Sequence, residues 1–210
     1  MNINVSPVGL QWQWQANPNP LWCFPNYDVG LLRLFAWEIS PEYSNLWGAG
    51  NLLLQKFPAV NFRTTMKFKF TPYKDDERAG LIIMGTDYAT ISIASVRDSF
   101  EIRQTVCLEA DKGGEEKINE VKSFKKQQWI YFRVEVRGEG SINKAGIYQE
   151  RPYCRYSYSL DGEKYIPIGE MFEAKEGKWI GAKVGVFCER KRWSNDSGYI
   201  DVDWFTVEAI

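Results

Sequence analysis

The segment Arg155-Tyr-Ser-Tyr-Ser-Leu-Asp-Gly-Glu-Lys-Tyr-Ile-Pro-Ile168 carries the clearest local signal in the chain. Apolar and polar side chains alternate up to Leu160, and this period of two predicts a β-strand with one buried face. Asp161-Gly162 predicts a two-residue type I′ turn, because both central positions of that turn need a positive φ. Pro167 cannot donate to a sheet ladder, so the return strand is predicted to be an edge strand or to end there. An isolated hairpin is only marginally stable in water, so the remaining chain must supply a sheet and a second layer.

Further strand signals follow along the chain. Phe62–Phe70 has the longest alternation, with Phe62, Thr64, Met66, Phe68 and Phe70 on one face. Ala79–Met84 is continuously apolar and short, which predicts a central strand buried on both faces. Gly138–Pro152 and Glu189–Ser197 are polar and are predicted to be loops. Many short strands, with no amphipathic helix of three turns, predict an all-β sandwich or barrel.

Composition and charge narrow the class of protein. Of the 210 residues, 44% are hydrophobic, which is enough for a substantial core, and no boundary is evident, so residues 1–210 are predicted to form a single domain. The net charge of -1 implies no basic face, which argues against nucleic acid or an anionic membrane as partner. No apolar run reaches the length of a membrane span. Residues 1–7 lack the basic start and apolar core of a signal peptide, so none is predicted in this chain.

The absence of histidine excludes several kinds of site. It removes Ser-His triads, Cys-His dyads and zinc sites that contain histidine. The four cysteines are far apart and contain no C-x-x-C pair, which argues against a zinc site made of cysteines alone. Cys107, Cys154 and Cys188 lie in apolar strand-like runs, where a free cysteine behaves as a small core residue. These three are therefore predicted to lie in the core.

Eight short pieces, in this order, resemble the C-terminal concanavalin A-like domain of family 43 glycoside hydrolases, which are β-xylosidases and arabinofuranosidases. The resemblance covers nearly the whole chain. The pieces are Leu10-Gln-Trp-Gln-Trp14 with Asn17-Pro18, Gly30-Leu-Leu-Arg-Leu34, Leu53-Leu-Gln55, Asp76-Glu-Arg-Ala-Gly-Leu81, Tyr156-Ser-Tyr-Ser-Leu-Asp-Gly162, Ile168-Gly169, Gly185-Val-Phe187 and Asp201-Val-Asp-Trp-Phe205.

This resemblance implies a two-sheet antiparallel jelly-roll sandwich. It also implies that the catalytic carboxylates lie on a separate five-bladed propeller, absent from this chain, against which the sandwich packs. In some members a loop of the sandwich helps to close the active site, and some relatives hold a structural calcium ion. The chain departs from the family pattern by insertions near 38–50 and 138–152.

The last strand offers the first candidate site. Asp201 and Asp203 share a strand face, with Cα atoms about 7 Å apart at ~3.4 Å per residue. This spacing could suit a glycosidase pair, but neither carboxyl lies in an evident apolar pocket that would raise its pKa, as a general acid requires. Calcium ligation by Asp203 with backbone carbonyls is one expectation, and a solvated or hydrogen-bonded strand face is the other.

Aromatic and charged loop residues are the second set of candidates. Nine tryptophans are many for this length, and those within strand patterns are expected to pack in the core. Trp47 and Trp193 instead lie in polar loops beside Tyr43 and Arg192, where they could form a sugar platform or anchor an interface with another domain. Arg78 follows three acidic residues at positions 75–77 that suggest a solvated turn, and it is a candidate for contact with ligand or propeller.

Three functions remain open from the sequence. The first is a non-catalytic accessory domain that supports a family 43 propeller acting on xylan- or arabinan-derived oligosaccharides. The second is a free-standing module that binds xylo- or arabino-oligosaccharides through aromatic side chains. The third is an autonomous sandwich-fold glycosidase that uses Asp201 and Asp203.

Overall fold

A computed structural model describes residues 8–40, 42–97, 99–125, 129–142, 146, 148–191 and 194–210. They form two eight-stranded sheets. Sheet A contains, in spatial order, β1 (Gln13–Trp14), β5 (Leu53–Lys56), β15 (Lys183–Arg190), β7 (Arg78–Met84), β8 (Tyr88–Val96), β9 (Ser99–Cys107) and β10 (Glu116–Lys125), and β4 (Trp37–Glu38) pairs with β15.

Sheet B covers one face of sheet A. It contains, in spatial order, β13 (Ile166–Pro167), β12 (Tyr148–Ser159), β11 (Ile130–Ile142), β6 (Phe62–Thr71), β16 (Tyr199–Ala209), β3 (Leu31–Phe35) and β2 (Cys23–Asn26), and β14 (Phe172–Glu173) pairs with β12. Neighbouring strands are antiparallel except for β4 and β15, so the predicted two-sheet antiparallel sandwich is confirmed. Two single 3-10 turns, Leu46–Gly48 and Ala110–Lys112, lie in the loops. Among the described residues, no helix has the length and apolar character needed to cross a membrane.

The main core lies between the two sheets. The inward side chains of β6, from Phe62 to Phe70, are buried as predicted, and they pack against the inner face of sheet A. All seven residues of β7 are buried, because β15 and β8 flank this strand and both of its faces are covered. Cys154 and Cys188 lie in this core, as their apolar surroundings predicted.

A second apolar cluster covers the outer face of sheet A. Leu46 and Ala49, from the segment 39–50, pack on Leu54, Ile82 and Phe187. Cys107 also belongs to this second cluster. The described residues of this segment therefore cover the outer face of sheet A, which explains why β7 is buried on both faces.

The turn after β12 differs from the prediction. Tyr158 pairs with Ile166, so the residues 159–165 form the connection and the two-residue type I′ turn is wrong. Gly162 has a φ of 84°, whereas Asp161 is not in the left-handed region. The Asp161 carboxylate instead accepts hydrogen bonds from the Ser159 hydroxyl and from the backbone N–H groups of Glu163 and Lys164. The edge position of the return strand is confirmed.

These hydrogen bonds to Asp161 give a testable pH dependence. The backbone N–H of Lys164 and the hydroxyl of Ser159 lower the pKa of Asp161 to about 2. Because the folded pKa lies below the ordinary value of 3.8, this group stabilises the fold above that value and loses its contribution as the pH falls toward 2. NMR titration of the carboxyl carbon should give this value, and Ser159→Ala should raise it. An unshifted pKa in the unmodified chain would contradict the loop geometry.

The segment Gly138–Pro152 also differs from the prediction of a loop. Strands β11 and β12 continue through it, and their pairing runs from Gly138 with Pro152 to Ile142 with Tyr148. This extension projects beyond the core, so its exposed residues lack the alternation that marks a half-buried strand. The predicted loop Glu189–Ser197 is shorter than expected as well, since β15 continues to Arg190.

Candidate functional site

Trp47 lies in a loop that the second apolar cluster holds in place. Asn45 caps the short turn Leu46–Gly48, and its side-chain oxygen accepts the N–H of Trp47 at 2.9 Å. The amide group of Asn45 donates to the carbonyls of Ala110 and Gly114 at 3.1 and 2.8 Å. An asparagine is a favoured cap because its short side chain reaches orphan backbone groups. The indole of Trp47 is therefore presented from a fixed backbone.

A groove of about 250 Å³ runs beside Trp47, and we name it the Trp47 groove. The loop of residues 177–180 forms its other wall, and the N–H of Gly177 closes this loop on the carbonyl of Ile180 at 2.8 Å. Trp179, inside that loop, has 94% of its surface exposed, and Ile180 is also exposed. The lining residues are Gln15, Trp47, Met84, Gly85, Gly177, Lys178, Trp179, Ile180 and Lys183.

Sequence reasoning did not identify Trp179. The signal was present, since Glu176-Gly-Lys-Trp-Ile-Gly181 places a tryptophan in a polar loop bounded by glycines, as Trp47 is. Tyr43 lies near the groove but does not line it; its ring packs against Gly48. Arg192 and Trp193 lie outside the described residues, so their roles stay predictions.

Arg78 lies in a buried ion cluster, and its contact with ligand or propeller stays a prediction. Its Nε donates to Glu189, and its terminal Nη2 donates to Glu116 at 2.7 Å. The Tyr88 hydroxyl also donates to Glu116, at 2.6 Å. Strand pairing causes this arrangement, since Glu189 on β15 lies opposite Arg78 on β7. We name Arg78, Glu189, Glu116 and Tyr88 the buried ion cluster.

The pKa values of the two carboxyls in the buried ion cluster are shifted in opposite directions. Burial raises the pKa of Glu189 above its ordinary value, and the attraction of Arg78 does not cancel this effect. Burial also acts on Glu116, but the charge of Arg78 and the bonds from Arg78 and Tyr88 outweigh it and lower the pKa of Glu116. One oxygen of Glu189 has no hydrogen-bond partner among the described residues. Two carboxylates thus share one guanidinium, which makes Arg78 the central charge of this cluster.

Asp201 and Asp203 each pair with a separate cation. Asp201 accepts a bidentate pair of bonds from Arg33 at 2.7 and 2.9 Å, and Asp203 accepts the Lys67 ammonium at 2.6 Å. The hydrogen bond to Asp201 raises the pKa of Arg33, and the bond to Asp203 raises the pKa of Lys67. The register shifts between Val202 and Trp204, so Asp203 is an extra residue in the strand. This geometry favours two ion pairs, one with a buried carboxylate at Asp201 and one with a partly exposed carboxylate at Asp203.

The surroundings of Asp203 do not resemble an acidic calcium site. Lys67 contacts the Asp203 carboxylate, and a cation in that place competes with a metal ion. In the part of the chain that the structure describes, no three His, Cys, Asp or Glu side chains are grouped so that they could hold a metal. Calcium prefers six to eight oxygen ligands, several of them carboxylate. Calcium at Asp203 stays a prediction.

Comparison with known proteins gives the family. The family described as the β-xylosidase C-terminal concanavalin A-like domain matches residues 4–208. A β-xylosidase of Formosa agariphila is 27% identical over 96% of this chain, and a putative β-xylosidase of Xylanibacter ruminicola is 28% identical over 88% of it. The chain spans 33% and 30% of these relatives, so it corresponds to about a third of their length.

A solved structure supports the fold. The structure named bifunctional GH43-CE, from Bacteroides eggerthii, superposes with a TM-score of 0.78 at 20% identity, over 97% of this chain and 24% of that one. At this level of identity the likeness shows the fold alone, and it agrees with the predicted concanavalin A-like sandwich. From the match over residues 4–208, the chain belongs to the family of β-xylosidase C-terminal concanavalin A-like domains.

Proposed function

We propose that this chain is the non-catalytic accessory domain of a family 43-type glycoside hydrolase that acts on xylan- or arabinan-derived oligosaccharides. In this role it packs on a catalytic propeller domain that precedes it in the parent enzyme. Family membership and the fraction of each relative that the chain spans support this proposal. Asp201 and Asp203 on the last strand support it too, since each is held in an ion pair.

The exposed Trp179 carries the proposal. A tryptophan that is 94% exposed costs solubility unless it has a partner, and tryptophan is enriched among the residues that anchor interfaces. Gln15 lines the same groove and belongs to the N-terminal part of the chain, which is the side from which a preceding domain would arrive. A backbone hydrogen bond within the loop 177–180 already holds it closed, so this loop would lose little conformational entropy on docking.

Trp179→Ala is expected to weaken binding of this chain to the catalytic domain by about thirtyfold or more, as for a central interface residue worth about 2 kcal/mol. Calorimetry with the separately produced catalytic domain measures the effect. Tyr27→Ala is a matched control, because Tyr27 is also exposed but lies on the connection between β2 and β3. Equal affinities for the unmodified chain and the Trp179→Ala variant would remove the docking role from this loop.

The groove geometry also suits a second function. Trp47, Trp179, Gln15 and Lys183 all line the groove, and the Lys178 ammonium lies 5.7 Å from the Trp47 ring centroid. Such a set could hold a neutral sugar, as a free-standing carbohydrate-binding module would. The same variants separate the two functions. If Trp179→Ala abolishes binding of xylo- or arabino-oligosaccharides and leaves domain association unchanged, the module is the better description.

A further inference from the structure

The outer face of sheet B is a mosaic of aromatic and cationic side chains, although the chain as a whole has a net charge of -1. Strand register places Trp204, Lys67 and Tyr131 in one row across β16, β6 and β11. The next row contains Thr206, Thr65, Arg133 and Ser157 on successive strands. Outward side chains in such rows lie close enough for one extended ligand to contact several of them.

Arg133 lies at the centre of this face and is held in one orientation. Its Nε donates to the Thr65 hydroxyl at 3.2 Å, and its guanidinium carbon lies 3.4 Å from the centroid of the Tyr165 ring. None of the carboxylates in the described residues forms an ion pair with Arg133. The guanidinium fork suits bidentate binding of a carboxylate, and a fork that is already ordered loses little entropy on binding.

The neighbouring charges increase the positive potential. Arg63 pairs with Glu135, and Lys67 pairs with Asp203, so these two cations are largely neutralised. Lys69, Arg137 and Arg155 also point outward on β6, β11 and β12, and within the described ranges no carboxylate forms an ion pair with them. Asp201 and Glu208 lie opposite Lys69 and Arg63, so the local excess of cations is centred on Arg133, Arg137 and Arg155.

The aromatic half of the face comes from the irregularity in β16. After the register shift at Asp203, Trp204 faces outward and Phe205 packs on the core. The Trp204 ring lies 6.0 Å from the Tyr131 ring, and 37% of Trp204 is exposed. Two aromatic rings beside an ordered guanidinium supply an apolar surface for a sugar ring and a charge partner for its acid group.

We propose that the outer face of sheet B binds an acidic glycan, with a uronic-acid carboxylate on Arg133 and a neighbouring sugar ring on Trp204 and Tyr131. A neutral glycan would leave the unpaired cations without partners. Nucleic acid fits less well, because its backbone carries a negative charge on every nucleotide and some of these would meet Glu135 and Asp203, whereas a single uronic-acid carboxylate can lie on Arg133 alone. This site is separate from the Trp47 groove, since the two share no residues.

Binding of the 210-residue chain to two xylo-oligosaccharides of equal length, one carrying glucuronic acid and one unsubstituted, tests the proposal. The acidic probe should bind about tenfold or more tightly than the neutral one, and salt should weaken its binding. Arg133→Gln should reduce the affinity about tenfold or more, and Arg133→Lys should lie between, because it keeps the charge without the fork. Trp204→Ala should also weaken binding, whereas Tyr27→Ala, at an exposed aromatic elsewhere, should not.

Three outcomes would overturn the proposal. The first is equal affinity for the acidic and the neutral probe. The second is unchanged affinity in an Arg133→Gln variant whose circular dichroism matches that of the unmodified chain. The third is no binding of either probe. If Trp204→Ala then weakens association with the catalytic domain, the face belongs to the contact with that domain. The docking test on Trp179 uses different residues, so failure of one proposal leaves the other standing.

Discussion

Replacing Arg78 with methionine is expected to lower the free energy of unfolding by about 3–5 kcal/mol, the usual cost of breaking a buried ion pair from one side. Glu189 and Glu116 both contact this guanidinium, and Glu189 is almost fully buried. Because methionine fills a similar volume, the substitution leaves no large cavity. The loss of stability therefore comes from the two carboxylates that are left without their cation. Urea unfolding followed by tryptophan fluorescence measures the change.

The double variant Arg78→Met with Glu189→Met is the matched control. It removes the more deeply buried carboxylate together with its cation, and apolar replacement of a whole buried pair is often neutral or stabilising. The double variant should therefore recover much of the lost stability. If Arg78→Met alone changes the free energy of unfolding by less than about 0.5 kcal/mol, as an ordinary surface substitution does, the cluster is not buried in the folded chain.

The loss in Arg78→Met should also depend on pH. The pKa of Glu116 in the folded chain is lowered by Arg78, so Glu116 stabilises the unmodified chain above the ordinary value of 4.5 and less as the pH falls through its folded pKa. Glu189 has a raised pKa, so protonation relieves its burial cost as the pH falls through that raised value. Without Arg78 the pKa of each carboxyl should be higher than in the unmodified chain. The difference in the free energy of unfolding between the unmodified chain and Arg78→Met should therefore become smaller as the pH falls from 7 to 4.5.

The sequence predicts the strands of this fold where one face is buried. Phe62–Phe70 alternates because its side chains lie alternately in the core and on the outer face, and β7 is uniformly apolar from Ala79 because the 39–50 segment covers its second face. The extension of β11 and β12 beyond Gly138 could not be predicted in this way. It projects past the core, so no burial pattern constrains its side chains. The prediction of a type I′ turn at Asp161 was wrong because hydrogen bonds to the Asp161 side chain compete with the turn geometry that Asp-Gly suggests.

The buried ion cluster was beyond sequence reasoning for a different reason. Arg78 and Glu189 are distant along the chain and meet only because β15 lies beside β7 in the sheet. Nothing in the local sequence shows which strands will be neighbours. The Trp47 groove, in contrast, could have been predicted from local sequence. The pattern that selected Trp47, a tryptophan in a polar loop, applies equally to Trp179.

Glu77 was predicted to lie in a solvated turn, and this prediction is wrong. The residue is buried where the chain passes from β6 in sheet B to β7 in sheet A. One carboxylate oxygen accepts the N–H groups of Tyr73 and Lys74 at 2.6 and 3.2 Å. The other accepts the N–H of Gly198, just before β16, at 2.9 Å. A single side chain therefore fixes the crossover between the sheets to the start of the last strand.

Glu77→Ala is expected to lower the free energy of unfolding by about 2–4 kcal/mol, because each buried donor left unpaired costs about 1–3 kcal/mol and the loop can relax in part. Glu77→Gln keeps one acceptor oxygen but turns the other into a donor that faces backbone N–H groups, so its loss should be smaller but measurable. Glu42→Ala, at an exposed glutamate, should change stability by less than about 0.5 kcal/mol. Thermal and urea unfolding of the three variants decide the matter. If Glu77→Ala behaves like Glu42→Ala, this carboxylate does not join the two sheets.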